Sequence, residues 1–576
     1  MSARSRPSLV TSTQRWLVMA FTAAGLLASR QAGAVGSWIP LETIVPGTNA
    51  GHMLLLSDAT VMVQQGITSN WWRLTPSSTG GYTNGTWTPL SPMSTPRKFY
   101  SSDILRDGRV FLAGGEHYNL LLTNIGEIYD PSNDSWTPTA SAGDVDFSDS
   151  GSVVLSDGAV LVHPVHKGGF ASPRVTLIYH PTLGTWTTNP PSQGSVDETS
   201  WVKLPDDSIL SIDEDLTTSE RYIPALNQWI QDANVPVNLY SNHETGAAFL
   251  LPDKRAFFLG ASGHTALYTP SGTTAMGSWA AGPDIPDGHF ADDSPAAMMN
   301  NGKILCVVGT NAPNGGSTGS LWFYEYDYSI GTTGAFQPTS SPTDSAVGSF
   351  LRADSYNLSL LDLPDGTVLF SKGNGVPDLS GLLYVYQPDT PPLASGRPTV
   401  DSASWNPDGS LHLTGKLFNG ISEGSAFGDD AQEASNYPIV RLTDSAGRVT
   451  YGRTYNWSST GVMTGAKIVT TEARVPANAY DAQGKYSVAV IANGIASATV
   501  TFYGDFVWVD FNYGGSPQVG SYSNPYQFLT QGVAAVSSGG TIAFKATVQP
   551  SVSHETMMIS KPMTLISLGG PATVGQ

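Results

Sequence analysis

An apolar run, a short polar turn and a second apolar run recur seven times along this chain, and that recurrence limits the fold more than any other feature. The copies read LLLSDATVMV, DILRDGRVFLAGG, VVLSDGAVLV, VKLPDDSILSI, FLLPDKRAFFLG, AMMNNGKILCVVG and LLDLPDGTVLF. Their first turn residues are Asp58, Asp107, Asp157, Asp206, Asp253, Asn301 and Asp365, so successive gaps are 49, 50, 49, 47, 48 and 64. Each phrase predicts a β-hairpin, because β-rich runs flank a two-residue turn of residues that tolerate positive φ. Most copies are followed by an aromatic strand and then a Trp after a further turn, at Trp136, Trp186, Trp229 and Trp279. Two hairpins per repeat of about fifty residues predict the four-stranded blade of a propeller.

The repeat length matches the kelch form of the propeller rather than the shorter WD40 form. Length and composition agree: 576 residues exceed what one core supports, and 61 Gly with 39 Pro suit many short strands joined by tight turns. The fold class expected is therefore all-β, a seven-bladed kelch-type propeller at about 38–390. Its late seventh turn is assigned to an insertion in the preceding blade, NAPNGGSTGSLWFYEYDYSIGTTGAF. A Pro-rich linker, PDTPPLASGRP, leads to alternating strands over 398–505 that suit an immunoglobulin-like sandwich. Residues 506–576, with short strands TIAFKA, MMIS and MTLIS, read as a partial parallel β-helix.

The first 34 residues carry Arg4, Arg6 and Arg15, an apolar stretch from Trp16 to Ala28, and Ala32-Gly33-Ala34 as a small-residue cleavage site. That pattern predicts a signal peptide cleaved near Ala34 and a secreted or cell-surface protein with no transmembrane segment. Cys306 is the sole cysteine and sits in an apolar strand, KILCVVG, so it is read as a small buried hydrophobe. A formal charge of −19 speaks against nucleic acid as a partner.

A leader, seven kelch-length repeats and a sandwich entered by RPTV and carrying FGDDAQEASNYPIVRLT resemble the galactose oxidase-like family of secreted proteins. The resemblance covers roughly residues 38–505, with blade two its nearest stretch. It implies a copper ion held by two tyrosines and two histidines, one tyrosine being cross-linked to a cysteine. The first Tyr-His pair falls on Tyr356 and Asn357, eight residues before Asp365, so the tyrosine is kept and the histidine replaced. The cross-linked tyrosine falls on Phe99, with Tyr100 beside it, and no cysteine precedes Cys306. His117 stands where active members stack an aromatic over the cross-link, and His412 is the only histidine of the sandwich. An amide and a phenyl ring do not replace imidazole and phenol as copper ligands, so the resemblance implies a scaffold without copper-radical chemistry.

The position eight before each turn gives Ala50, Phe99, Asp149, Glu198, Thr245, Asp293 and Asn357; one residue earlier come Asn49, Lys98, Ser148, Asp197, Glu244, Asp292 and Tyr356. Blades three to six thus each bring a carboxylate toward the mouth. Such groups can hydrogen-bond sugar hydroxyls, ligate a hard cation such as Ca²⁺, raise one another's pKa, or simply cap turns and stay solvated. The expected ligand-binding residues are Tyr100, His117, Asp149, Glu198, Glu244, Asp293, Tyr356 and Asn357, without a copper cofactor and with calcium left open. The expected partner is a carbohydrate or cell-surface polymer. Two other readings stay open: a polysaccharide lyase or hydrolase working with mouth carboxylates, Tyr and His, and a structural adhesin.

Overall fold

The computed structural model describes residues 35–47, 49–115, 123–145, 147, 151–164, 174–195, 199–241, 244–310, 319–372, 381–406, 408–426, 434–476, 479 and 483–575. The leader expected over 1–34 lies outside them. Seven sheets form the propeller: five of four successive strands, a sixth with two strands added to its four, and a seventh completed by a strand from the start of the described chain. The innermost strands are Ala50–Leu55, Ser101–Ile104, Ser152–Val154, Val202–Lys203, Ala248–Leu250, Ala296–Met298 and Leu358–Asp362.

The seven hairpins share one turn chemistry. In each, the first turn residue caps the backbone N–H two residues on with its side-chain oxygen, as Asp58 does for Thr60 and Asn301 for Lys303. The next residue is left-handed every time: Ala59, Gly108, Gly158, Asp207, Lys254, Gly302 and Gly366, with φ between 64° and 91°. The loop is closed by two backbone bonds, for example Ala59 N–H to the Leu56 carbonyl at 2.9 Å and Leu56 N–H to the Thr60 carbonyl at 2.8 Å. The break read as a two-residue turn is therefore a three-residue loop, a type I turn followed by a left-handed residue, whose twist suits the flanking strands.

A second repeated feature fixes the outer half of the blades. Tyr129, Tyr179, Tyr222 and Tyr268 on third strands lie opposite Trp136, Trp186, Trp229 and Trp279 on fourth strands. Their ring centroids are 5.0–5.4 Å apart, within the range where aromatic pairs add to area burial. Blade six repeats the pair as Tyr326 and Phe336. In blade seven the partner of Tyr386 is Trp38, because Ser37–Pro40 from the start of the described chain is the outer strand and closes the ring.

Two sequence expectations change. The supposed insertion in blade six is mostly that blade's own third and fourth strands, Gly319–Asp327 and Ala335–Pro338; the extra length is an added strand, Phe350–Ala353, paired with the start of the third. In the C-terminal segment MMIS is not a strand. Phe506–Val509, Thr541–Lys545 and Thr564–Leu568 form a parallel sheet, and Val552–Ser553 pairs in parallel with Thr573–Val574.

Between these parts, eight strands from Thr399–Trp405 to Val500–Tyr503 make one antiparallel sheet folded over a core that includes Leu411, Leu413, Val440, Leu442, Val488 and Val490. From this domain an arm enters the propeller channel at the turn end. Ser425–Ala426 pairs with the inner strand of blade six, placing Ala426 opposite Ala296 at that strand's mouthward end. The arm is pinned by Lys203 Nζ to Glu423 Oε1 at 2.7 Å, by Ser435 Oγ to Asp362 Oδ2 at 3.3 Å and by the Tyr437 hydroxyl donating to the Leu55 carbonyl. Among the described residues no helix is long and apolar enough to cross a membrane.

Candidate functional site

All seven inner strands begin at one end of the channel, so the residues just ahead of them ring a common mouth. Three of these entry residues are left-handed without being glycine: Asn49, Phe99 and Asp293, with φ of 68°, 49° and 43°. Asn and Asp accept that conformation through local side-chain bonding, whereas for Phe it is a strained choice that the surroundings must impose. Its result is a parting of neighbours. Tyr100 turns into the core, 1% exposed, where its hydroxyl donates to Gln64 Oε1 at 2.7 Å. Phe99 stays half-buried at the mouth and meets Tyr356 of blade seven edge-on, past the entry of blade one, 6.1 Å between centroids.

Around this aromatic pair the polar groups are unevenly placed. Lys98 Nζ lies 3.9 Å from the centroid of the Phe99 ring. The Tyr356 hydroxyl donates to Asp354 Oδ2 at 3.4 Å, and Ser355 Oγ donates to the Asp292 carbonyl at 2.7 Å. Burial, then the carboxylates of Asp354 and Asp293, push the Tyr356 phenol above its ordinary value, while a bond with Asn357 opposes them. Burial alone pushes the Asp292 carboxyl up to about 6. Among the described residues, Oδ1 of Asp292 and Oδ1 of Asp354 are buried without a hydrogen-bond partner.

The structure thus brings together Asp293, Tyr356 and Asn357 with Lys98, Phe99, Asp292 and Asp354. Glu244 is half-buried at the corresponding place in blade five, where its backbone pairs with Ser241. Tyr100 is not at the mouth surface, and His117, Asp149 and Glu198 lie outside the described residues. Asp354 escaped the sequence reading because it falls in the added strand's exit, away from the counted positions. His52 escaped it too: it contacts Tyr100 edge-on at 5.0 Å and Ser102 Oγ at 2.9 Å, and burial lowers its imidazole to about 3, which keeps it neutral.

The other singled-out residues are committed elsewhere. His412 Nδ1 pairs with Glu472 Oε1 at 2.8 Å within the second domain's sheet. Cys306 is fully buried in blade six, and burial raises its thiol. An open groove of about 630 Å³ lies at the turn end between blades two and three, but its Arg106 already donates to the Trp457 and Asp157 carbonyls. Among the described residues no three His, Cys, Asp or Glu side chains come together as a metal site.

No protein-family model matches the chain, and no curated protein does. Among solved structures, a copper-bound fungal alcohol oxidase of the AA5 family aligns over 82% of this chain and 99% of its own, with a TM-score of 0.45 and 14% identity. YjhT aligns over 52% of this chain and 99% of its own, with a TM-score of 0.38 and 15% identity. A streptogramin B lyase aligns over 62% and 100%, with a TM-score of 0.41 and 11% identity. At such scores the chemistry of the mouth has to be read from this chain's own residues.

Proposed function

We propose that the propeller mouth binds a glycan or another hydroxyl-rich cell-surface polymer, and that copper-radical oxidation is not its chemistry. The observation that carries the reading is the meeting of Phe99 and Tyr356 from opposite sides of the ring closure, flanked by a cation, Lys98, and by the carboxylates Asp293 and Asp354. Aromatic faces take the apolar face of a sugar ring, and paired donors and acceptors fix its hydroxyls. Copper does not fit this donor set. Phe99 has no ligating atom, Asn357 offers an amide, and His52 is engaged with Ser102, so no step is derived through the metal.

A glycan array probed with the mature chain tests the proposal. Binding is expected, and Tyr356→Ala should weaken it at least tenfold, about 1.4 kcal/mol. If no glycan binds, or if Tyr356→Ala and Glu244→Ala both leave binding unchanged, the mouth is not the site.

Asp292 favours a second reading. A carboxyl held up to about 6 by burial is suited to act as a general acid near neutrality, as cleavage of a polysaccharide requires. New reducing ends or ultraviolet-absorbing unsaturated products from a polysaccharide panel would support it. Their absence across the panel would remove it.

A further inference from the structure

The added strand of blade six does more than lengthen a repeat. Phe350–Ala353 pairs with the first half of Gly319–Asp327 so that Arg352 lies opposite Ser320 and Phe350 opposite Trp322. Strand alternation divides this ribbon cleanly. Leu321, Phe323, Leu351 and Ala353 are buried in the core of blades six and seven. Ser320 and Trp322 are half-buried, while Phe350 and Arg352 are exposed, all on the opposite face. Phe350 is 44% exposed, an unusual place for a large aromatic on a strand that has a full core to fill.

The rings of this face are held in a fixed arrangement. Trp322 lies 5.5 Å from Phe350 with their planes at 45°, and His289 stacks beneath Trp322 at 4.2 Å and 20°. Burial lowers the His289 imidazole, so the support beneath is a neutral ring. Arg352 Cζ stands 5.8 Å from the Phe350 centroid. Among the described residues neither the Arg352 guanidinium nor the Trp322 indole N–H has a hydrogen-bond partner. The strand then runs directly into Asp354, Ser355 and Tyr356 of the mouth. Arg352 and Tyr356 are four positions apart, at most about 14 Å of extended chain.

We propose that this ribbon face is a second sugar subsite, continuous with the mouth, in which Trp322 and Phe350 stack a ring of a neutral linear oligosaccharide and Arg352 donates to its hydroxyls. The inference rests on the reading of the mouth as a glycan site and extends it. A neutral chain is favoured because the two stations mix donors (Lys98, Arg352, the Trp322 N–H) with acceptors (Asp293, Asp354), and because a net charge of −19 repels a polyanion. Stacking supplies affinity with little loss of freedom, since the aromatic side chains are already fixed.

Titration calorimetry with mono-, tri- and hexasaccharides of β-linked glucose, mannose and galactose, and with hexagalacturonate as the charged comparison, tests it. A neutral hexasaccharide should bind at least tenfold more tightly than its monosaccharide. Trp322→Ala and Arg352→Gln should each erase that gain while leaving the monosaccharide unaffected, and Arg352→Gln removes no buried contact that could unfold the blade. Equal affinity for all lengths, with both variants silent, would overturn the ribbon subsite and leave the mouth standing. Binding that survives Tyr356→Ala but is lost in Trp322→Ala would overturn the mouth and keep the ribbon. Tighter binding of hexagalacturonate would overturn the neutral class, and no binding of any probe would overturn both sites.

Discussion

Replacing Asp232 with alanine is expected to destabilise the propeller by about 3–5 kcal/mol, the cost of leaving a buried charge without its partner. Asp232 and Arg221 form an ion pair with side chains 0% exposed, Arg221 Nε donating to Asp232 Oδ2 at 2.5 Å. The pair ties blade four to blade five. Arg221 also donates to the Thr273 and Ala275 carbonyls, and Asp232 accepts from the Tyr268 hydroxyl at 2.8 Å and the Gly277 N–H at 2.9 Å. Removing the carboxylate leaves the guanidinium only the longer contact to Asp206 Oδ2, at 3.7 Å, as counter-charge and orphans a phenol and an amide at once. Urea unfolding followed by tryptophan fluorescence should show the loss. The double variant Arg221→Met with Asp232→Leu should recover only the part due to the uncompensated charge, because it still leaves the Tyr268 hydroxyl, the Gly277 N–H and the Thr273 and Ala275 carbonyls unpaired. A single variant as stable as the wild type would mean the pair contributes nothing across the blades.

The second large effect is a pH dependence at the seam between the channel and the entering arm. Burial pushes the Asp103 carboxyl up to about 7, with Glu423 adding to the rise and Ser152 and Lys203 opposing it. Asp103 is 4% exposed, and Ser152 Oγ donates to it at 2.6 Å. Asp362, also buried, is raised as well. A carboxyl raised in the folded state binds protons that the unfolded chain has released, so its contribution is full below the ordinary carboxylate range and is lost as pH climbs toward and through about 7. Between pH 5 and pH 8 the loss from Asp103 alone is on the order of 2–3 kcal/mol. Urea midpoints should therefore fall over that range in the wild type, and the fall should shrink in Asp103→Asn. A wild type equally stable at both pH values would show that water reaches this carboxylate.

The parts of this fold that were legible in the sequence are those with a local cause. Seven Asp- or Asn-led turns could be counted because each copy must cap its own backbone and place the next residue left-handed. The Tyr–Trp pairs of blades two to five could be seen because the two strands adjoin in sequence. The pairing of Trp38 with Tyr386 across the whole propeller left no such trace, nor did that of Ala296 with Ala426. Both join strands hundreds or more than a hundred residues apart, and nothing near either partner announces the other. The same holds for the site. Counting back from the turns brought Phe99 and Tyr356 to one mouth, while Asp354, Trp322 and Phe350 were hidden by an added strand that looks, in sequence, like loop.

The central proposal is that this propeller binds a ligand at its mouth and does not carry out copper-radical oxidation. Peroxide release by the purified protein, after incubation with copper(II) and with galactose, glyoxal or a simple alcohol as substrate, tests it most directly. The proposal predicts no substrate-dependent peroxide and no visible absorption of a tyrosyl radical, since Phe99 carries no phenol and Asn357 no imidazole. Stoichiometric copper together with substrate-dependent peroxide would contradict it.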